Sequence, residues 1–430
     1  MLEVIRNAFK NPDLRKKIFY TLMILLIFRI GAAIPAPFVD ASALVQLTGD
    51  GSNFFGYLNM LSGGAFQDAT IFAMSITPYI NASIIIQLLT VAIPALERLA
   101  KEGGEGRKKL NKITRWCTVG IALLQATGYY FLMRNYNAIP SDYTSDAATT
   151  WFTGITIVLV FTAGAALIMW LGEQINDKGI GNGISIILFA GIIARGPAAF
   201  MVLVELWKKG GINYFLVPLT LIVFAAIIVF IVIMTNAERR IPVYYAKRVV
   251  GRKMYGGQSS YIPIKVSMSG VMPIIFASAF LSLPSTIQMF WTPKADSFWA
   301  HVFNALSPRG AAYAILYFLL IIAFNYFYIS IQYNPIEIAN NIKSNNGAIP
   351  GIRPGKPTVT FISKIISKIT LLGAFFLGAI AVFPIIFTWL TNVNISLGGT
   401  SIIIIVGVAL DTMRTLESQM TMRHHSGFLK

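Results

Sequence analysis

The sequence predicts an all-α membrane protein of about ten transmembrane helices, and three observations carry that prediction. Of 430 residues, 55% are hydrophobic and 12% charged, and long windows hold no ionisable side chain, a composition that soluble domains rarely show. Apolar windows fall near 18–37, 70–93, 116–134, 151–171, 183–203, 213–235, 267–290, 311–333, 366–390 and 399–417, each long enough to cross a hydrocarbon core that needs roughly 20 residues. With the N-terminus inside, the even-numbered connections also lie inside, and they gather 28 Lys/Arg against 6 on the other side, Arg29 being left within the first window. That asymmetry is the positive-inside pattern and supports the topology. Carboxylates divide 11 inside and 7 outside, so almost all of the net charge of +17 faces inward.

Taken in order, the first 17 residues carry Arg6, Lys10, Arg15, Lys16 and Lys17, and the apolar run behind them lacks a small-residue cleavage site, so it reads as a retained span and not a removed signal peptide. Arg29 within that span either snorkels to the outer interface or pairs with backbone carbonyls. Next, "FFGYLNMLSGGAFQDA" (54–69) reads as a short apolar helix closed by Gly63-Gly64. It is too short to span, and a helix lying in the interface satisfies its composition. The second window holds Pro78 within "SITPYINAS", with Asn81, Ser83 and Gln87 near one helical face. Such a ridge marks a wet or protein-facing side, and ordinary interhelical hydrogen bonding accounts for it equally well. Ile76 and Ile80 flank Pro78, where a proline is expected to bend the helix. Further on, "GISIILFAGIIARG" and "GGTSIIIIVGVALD" open on glycine and repeat isoleucine at one-turn intervals, a pattern suited to close helix approach.

The inward basic charge is concentrated in three connections, "ERLAKEGGEGRKKLNKITRW", "AERRIPVYYAKRVVGRKMYGGQSSYIPIK" and "NPIEIANNIKSNNGAIPGIRPGKPTVTFISK". The last two are too long and too rich in Gly, Pro and Asn for tight turns; each reads as a hairpin or short helix standing off the membrane. Ribosomal RNA, anionic lipid headgroups or an acidic protein would fit such clusters, although the positive-inside rule alone also supplies basic residues.

Several function classes lose their requirements. One cysteine, Cys117, excludes an internal disulfide, and the three histidines (His301, His424, His425) lie outside the apolar windows, so no metal or haem arrangement is expected. Asp and Glu are absent from mid-window positions, with Glu173 and Asp411 near inner ends. An ion-coupled secondary transporter, the competing class, usually needs intramembrane carboxylates or histidines. No phosphate-cradling Gly-Lys-Ser/Thr loop occurs, so nucleotide hydrolysis is not expected. An intramembrane enzyme would need a buried Ser-His pair or Asp dyad, and none is offered.

The blocks "LIFRIGAAIPAP", "ITPYINASIIIQLLT", "MWLGEQINDKGIGNGISIILFAGI", "YYAKR", "PIKVSMSGVMPIIFAS", "PGIRPG" and "GGTSIIIIV", in that order and spacing, closely resemble the SecY family, the channel-forming subunits of the bacterial Sec protein translocase, over essentially the whole chain. The resemblance implies two inverted halves around a central pore: an N-terminal segment 1–17, a first half 18–205, a second half 206–418 with inner loops 236–266 and 334–365, and a tail 419–430. It implies a re-entrant plug at about 54–66, with Tyr57, Leu58, Met60 and Leu61 in the stopper and Gly63 and Gly64 as its joint. An apolar pore ring falls on Ile76, Ile80, Ile184, Leu188, Ile275 and Ile404. A lateral gate falls on Asn81, Ser83, Gln87, Ser278 and Ser282. Partner docking falls on Arg239, Arg240, Lys247, Arg248, Arg252, Lys253 and Arg353. Implied partners are SecE, SecG, the SecA motor, the ribosome, preproteins with their signal sequences, and anionic lipids. No cofactor or metal is implied; the location is the bacterial cytoplasmic membrane with both termini inside. A family member of this kind is a passive channel driven by its partners.

Overall fold

A computed structural model describes residues 6, 8–44, 59, 62–143, 146–211, 213–245, 248–250, 253–255, 259–288, 297–306, 310–391 and 399–426. In chain order the helices are α1 (Pro12–Gly31), α2 (Thr77–Ala92), α3 (Pro94–Lys101), α4 (Gly104–Asn135), α5 (Ala147–Lys178), α6 (Gly183–Ala194), α7 (Gly196–Lys208), α8 (Asn213–Asn236), α9 (Met272–Leu281), α10 (Leu283–Gln288), α11 (Phe298–Ala305), α12 (Ala311–Gln332), α13 (Pro335–Ser344), α14 (Lys356–Thr391) and α15 (Gly399–Ser426). The strands are β1 (Glu238–Tyr245), β2 (Arg248–Val250), β3 (Lys253–Tyr255), β4 (Ser259–Lys265) and β5 (Gly347–Ala348). Among the described residues six helical stretches are long and apolar enough to cross a membrane, and the bent pair α2–α3 makes a seventh if counted as one span.

Local sequence explains the element ends. Asn11 caps α1 by accepting the Asp13 amide at 3.2 Å, and Pro12 occupies the first turn, where its missing N–H costs nothing. Pro78 likewise sits in the first turn of α2, because residues 62–76 run mainly in turns and Thr77 opens the helix. The bend expected of Pro78 is therefore absent there. It lies instead at Pro94, where α2 and α3 diverge by 102°; Ile93 is extended (φ −109°, ψ 112°), as the residue before a proline prefers.

The chain forms two compact units. The first comprises Met1–Leu219, Ala279–Ala314 and Ile385–Lys430. Its main apolar core joins residues 36–44 and 66–73 to α4 and α5 through Leu44, Phe66, Tyr129, Met133, Ile157 and Phe161. Close approach is set by small residues: a Cβ added at Gly164 would overlap the carbonyl oxygen of Ile71. The other end of the unit is tied by polar contacts. Arg115 pairs with Glu173 at 2.7 Å, Tyr20 donates to Gln174 at 3.0 Å, and the Ile180 amide donates to Thr21 Oγ1 at 3.2 Å.

The second unit comprises Thr220–Ser278 and Ile315–Pro384. Its sheet has the order β4-β1-β5, all antiparallel, with Arg240 opposite Pro263 and Tyr244 opposite Ala348. Ile241, Val243, Ile264, Ile342, Ile349 and Ile362 bury the sheet against α13 and α14. Within its helices, Asn325 on α12 is 1% exposed, accepts from the Ser269 hydroxyl and donates to the Thr370 carbonyl at 2.9 Å. Buried polar pairs between membrane helices couple by roughly 0.6–1.7 kcal/mol. A double-mutant cycle of Ser269→Ala with Asn325→Leu, followed by thermal melting in detergent, is expected to give a coupling of about 1 kcal/mol. Simple additivity of the two changes would show that the bond contributes nothing.

Candidate functional site

Four of the six ring positions are buried in the first unit: Ile76 (1% exposed) at the start of α2, Ile80 one turn on, Leu188 on α6 and Ile404 on α15, which packs against α6. Ile184, at the start of α6, is half-buried. Two of them, Ile76 and Ile184, meet over Gly172 of α5. A Cβ built there would stand 3.7 Å from Ile76 Cδ1, 3.8 Å from Ile184 Cγ1 and 3.6 Å from Ile187 Cδ1. Ile76 and Ile184, 108 residues apart in sequence, therefore converge on one small residue. Asn182 fixes the start of α6 by accepting the amides of Ile184 and Ser185 at 3.1 and 3.4 Å, while Asn176 accepts that of Gly183 at 2.7 Å. Ile275 is buried on α9 in the second unit, and its carbonyl accepts from Ser278 Oγ at 2.9 Å.

The residues ahead of α2 form a compact knot. Asn59 and Gln67 bond reciprocally: the Asn59 amide donates to Gln67 Oε1 at 2.9 Å, and Asn59 Oδ1 accepts the Gln67 N–H at 3.0 Å. Ser62 Oγ donates to the Asn59 carbonyl at 3.1 Å and accepts the Phe66 amide at 3.0 Å. Gly63 has φ +68°, and a Cβ there would lie 2.9 Å from the Gly191 carbonyl oxygen, so both conformation and space require glycine. Gly64 follows with φ +100°. Arg29, exposed near the end of α1, places Nη1 3.5 Å from the Gly63 carbonyl oxygen. Tyr57, Leu58, Met60 and Leu61 lie outside the described residues.

Asn81, Ser83 and Gln87 are half-buried on α2, and Gln87 donates to Ser83 one turn back at 3.4 Å. Ser278 and Ser282 are buried, each donating to a carbonyl three residues earlier.

The two long basic connections meet in the second unit, because β1 pairs with β4 on one edge and with β5 of the other connection on the other. Arg239 and Arg240 are exposed on β1. The Arg240 guanidinium bonds Glu238 at 2.7 Å and lies 4.8 Å above the Tyr261 ring; the Glu238 hydrogen bond raises the Arg240 pKa further above its ordinary value. Arg248 and Lys253 belong to β2 and β3, while Lys247 and Arg252 lie outside the described residues. Arg353 is exposed on a loop whose backbone is fixed: Thr358 Oγ1 donates to its carbonyl at 2.9 Å and the Ile352 amide to Ile349 at 3.1 Å.

Sequence patterns pointed to neither the shared sheet nor Tyr129, whose hydroxyl donates to the Phe66 carbonyl at 2.5 Å. Both depend on partners distant in the chain and carry no local spacing.

The SecY family profile matches residues 70–413. The chain is 45% identical over 442 residues, covering all of both chains, to a protein translocase subunit SecY of Streptomyces scabiei. Its fold resembles that of a SecY protein whose plug domain stabilises the closed state of the translocation channel and maintains a membrane seal (TM-score 0.62, 17% identity, 94% of this chain and 92% of that one). It also resembles Sec61 in the canine ribosome-channel complex from the endoplasmic reticulum (TM-score 0.59, 15% identity, 94% and 92%).

Proposed function

Since the chain belongs to the SecY family, we propose that it acts as the central subunit of a protein-conducting channel, moving secretory polypeptides across a membrane and releasing apolar segments sideways into lipid. The observation that carries the mechanism is the convergence of Ile76 and Ile184 over Gly172. Together with Ile80, Leu188 and Ile404 they form an apolar gasket, to which the family resemblance adds Ile275. Branched aliphatic side chains close a gap without offering hydrogen bonds, so water and ions meet a dewetted barrier. A passing chain deforms such a ring readily, since nothing in it is directionally bonded. The knot around Gly63 seats a stopper on one side of the gasket. On α2, Asn81, Ser83 and Gln87 line the lateral gate, with Ser278 and Ser282 as its further members by resemblance. Release there follows the transfer free energy of the segment into lipid.

The chain itself does not hydrolyse nucleotide in this reading. Energy comes from the SecA ATPase or from translation, and the basic sheet and the Arg353 loop are the docking surface. Clustered Lys and Arg gain affinity by neutralising phosphate and by pairing with carboxylates; anionic lipid headgroups share that chemistry. SecE and SecG complete the complex, which sits in the bacterial cytoplasmic membrane with both termini of this chain inside.

The test uses the single native cysteine. With Cys117→Ser and Ile80→Cys, and the complex reconstituted with its partners, a secretory chain arrested in transit and carrying one cysteine is expected to form a disulfide at position 80 only with SecA and ATP. Export without that crosslink removes Ile80 from the pore. Accumulation of a small solute with no export favours a transporter instead.

A further inference from the structure

The seat of the stopper is held by a side chain outside the ring, the gate and the docking loops. Tyr129 on α4 is fully buried, and its ring lies 4.5 Å from Phe66 and 5.1 Å from Phe161. Its hydroxyl donates to the Phe66 carbonyl, which also accepts the Ala69 amide at 3.2 Å. A phenol in such surroundings must find a partner, and here the partner is backbone in turns, where no regular helix ladder fixes the chain. Two further ties hold the same stretch. The Ala36 amide donates to Ala69 at 2.9 Å and the Ile71 amide to Ile34 at 3.0 Å, and the Asn59–Gln67 pair closes its leading end.

Resting on the channel reading above, we propose that Tyr129 is a positioning residue that makes Ser62–Ala73 a fixed abutment for the stopper and thereby sets the tightness of the resting seal. Gly63 acts within it as a shaped contact against Gly191 and not as a free joint. The relevant quantity is the leak per assembled complex at rest, which a merely structural role would leave unchanged while lowering yield or melting temperature.

The experiment reconstitutes the full complex into vesicles and measures resting ion conductance, normalised to assembled complex, beside ATP-driven export. Losing one hydrogen bond, Tyr129→Phe is expected to raise the leak about fivefold by shifting the seated population. Gln67→Leu, half-exposed and so tolerant of change, is expected to raise it in the same direction. Thr127→Val removes a hydroxyl on the same helix that, among the described residues, bonds its own turn, to Leu123 at 2.8 Å, and is expected to leave the leak at the wild-type level. A wild-type leak in assembled Tyr129→Phe overturns the proposal, and if Tyr129→Phe fails to assemble, a wild-type leak in Gln67→Leu overturns it. A wild-type complex that exports no polypeptide refutes the channel reading separately.

Discussion

Charge reversal at Arg353 is expected to weaken docking of the driving partner on the order of 30-fold and to slow export accordingly, because breaking a preorganised charge pair typically costs 2–5 kcal/mol. The loop backbone is fixed on both sides of Arg353 by the Thr358 and Ile352 bonds, and Gly351 (φ +75°) and Gly355 (φ +109°) shape its turns. The exposed guanidinium thus stands on a rigid base, with little ordering left to lose on binding. Arg240 differs, since Glu238 and Tyr261 already engage it, and reversal there is expected to cost less. Export into inverted vesicles driven by SecA and ATP checks the comparison; a wild-type rate for Arg353→Glu would remove that residue from the docking surface.

Gly164→Val is expected to be the most damaging single change to stability, at about 3 kcal/mol or more. The added atoms would overlap the Ile71 carbonyl, and backbone cannot rotate away as a side chain would. The displaced stretch runs into Ile76, so assembly should fail together with the ring. Gly120→Val on α4 is the matched control, since a Cβ there meets nothing within 4 Å. Melting of the two variants in detergent separates the predictions, and equal midpoints would show that the Gly164 contact relaxes at no cost.

The spans were legible because membrane insertion demands long apolar windows, and each of the ten windows is helical over most of its length. The window ends were less legible. The window at 70–93 opens on an apolar stretch that is not helical, and apolarity alone could not distinguish turns packed under α5 from a helix facing lipid. Pro78 misleads for the same reason: only the position of Thr77 as the first helical residue tells an initiating proline from a kinking one. In the candidate site, Ile76, Ile80, Ile184, Leu188 and Ile404 were reached through the family resemblance, since any of them alone fits ordinary packing. The Arg29 partner, the Tyr129 bond and the Asn59–Gln67 pair join residues through the fold, and nothing in their spacing announces them. The basic connections were each expected as a hairpin or short helix; that β5 adds to β1 depends on a two-residue pairing of Tyr244 and Tyr245 with Ala348 and Gly347, too short to show as a strand pattern.

That short pairing has a mechanical consequence. The strand leaving α8, the strand returning toward α9 and the turn between α13 and α14 are one hydrogen-bonded plate. A force applied to either connection is shared by α8, α9, α13 and α14 together and is not absorbed in a slack loop. Cutting the Tyr244–Ala348 link would leave each connection to bear a load alone.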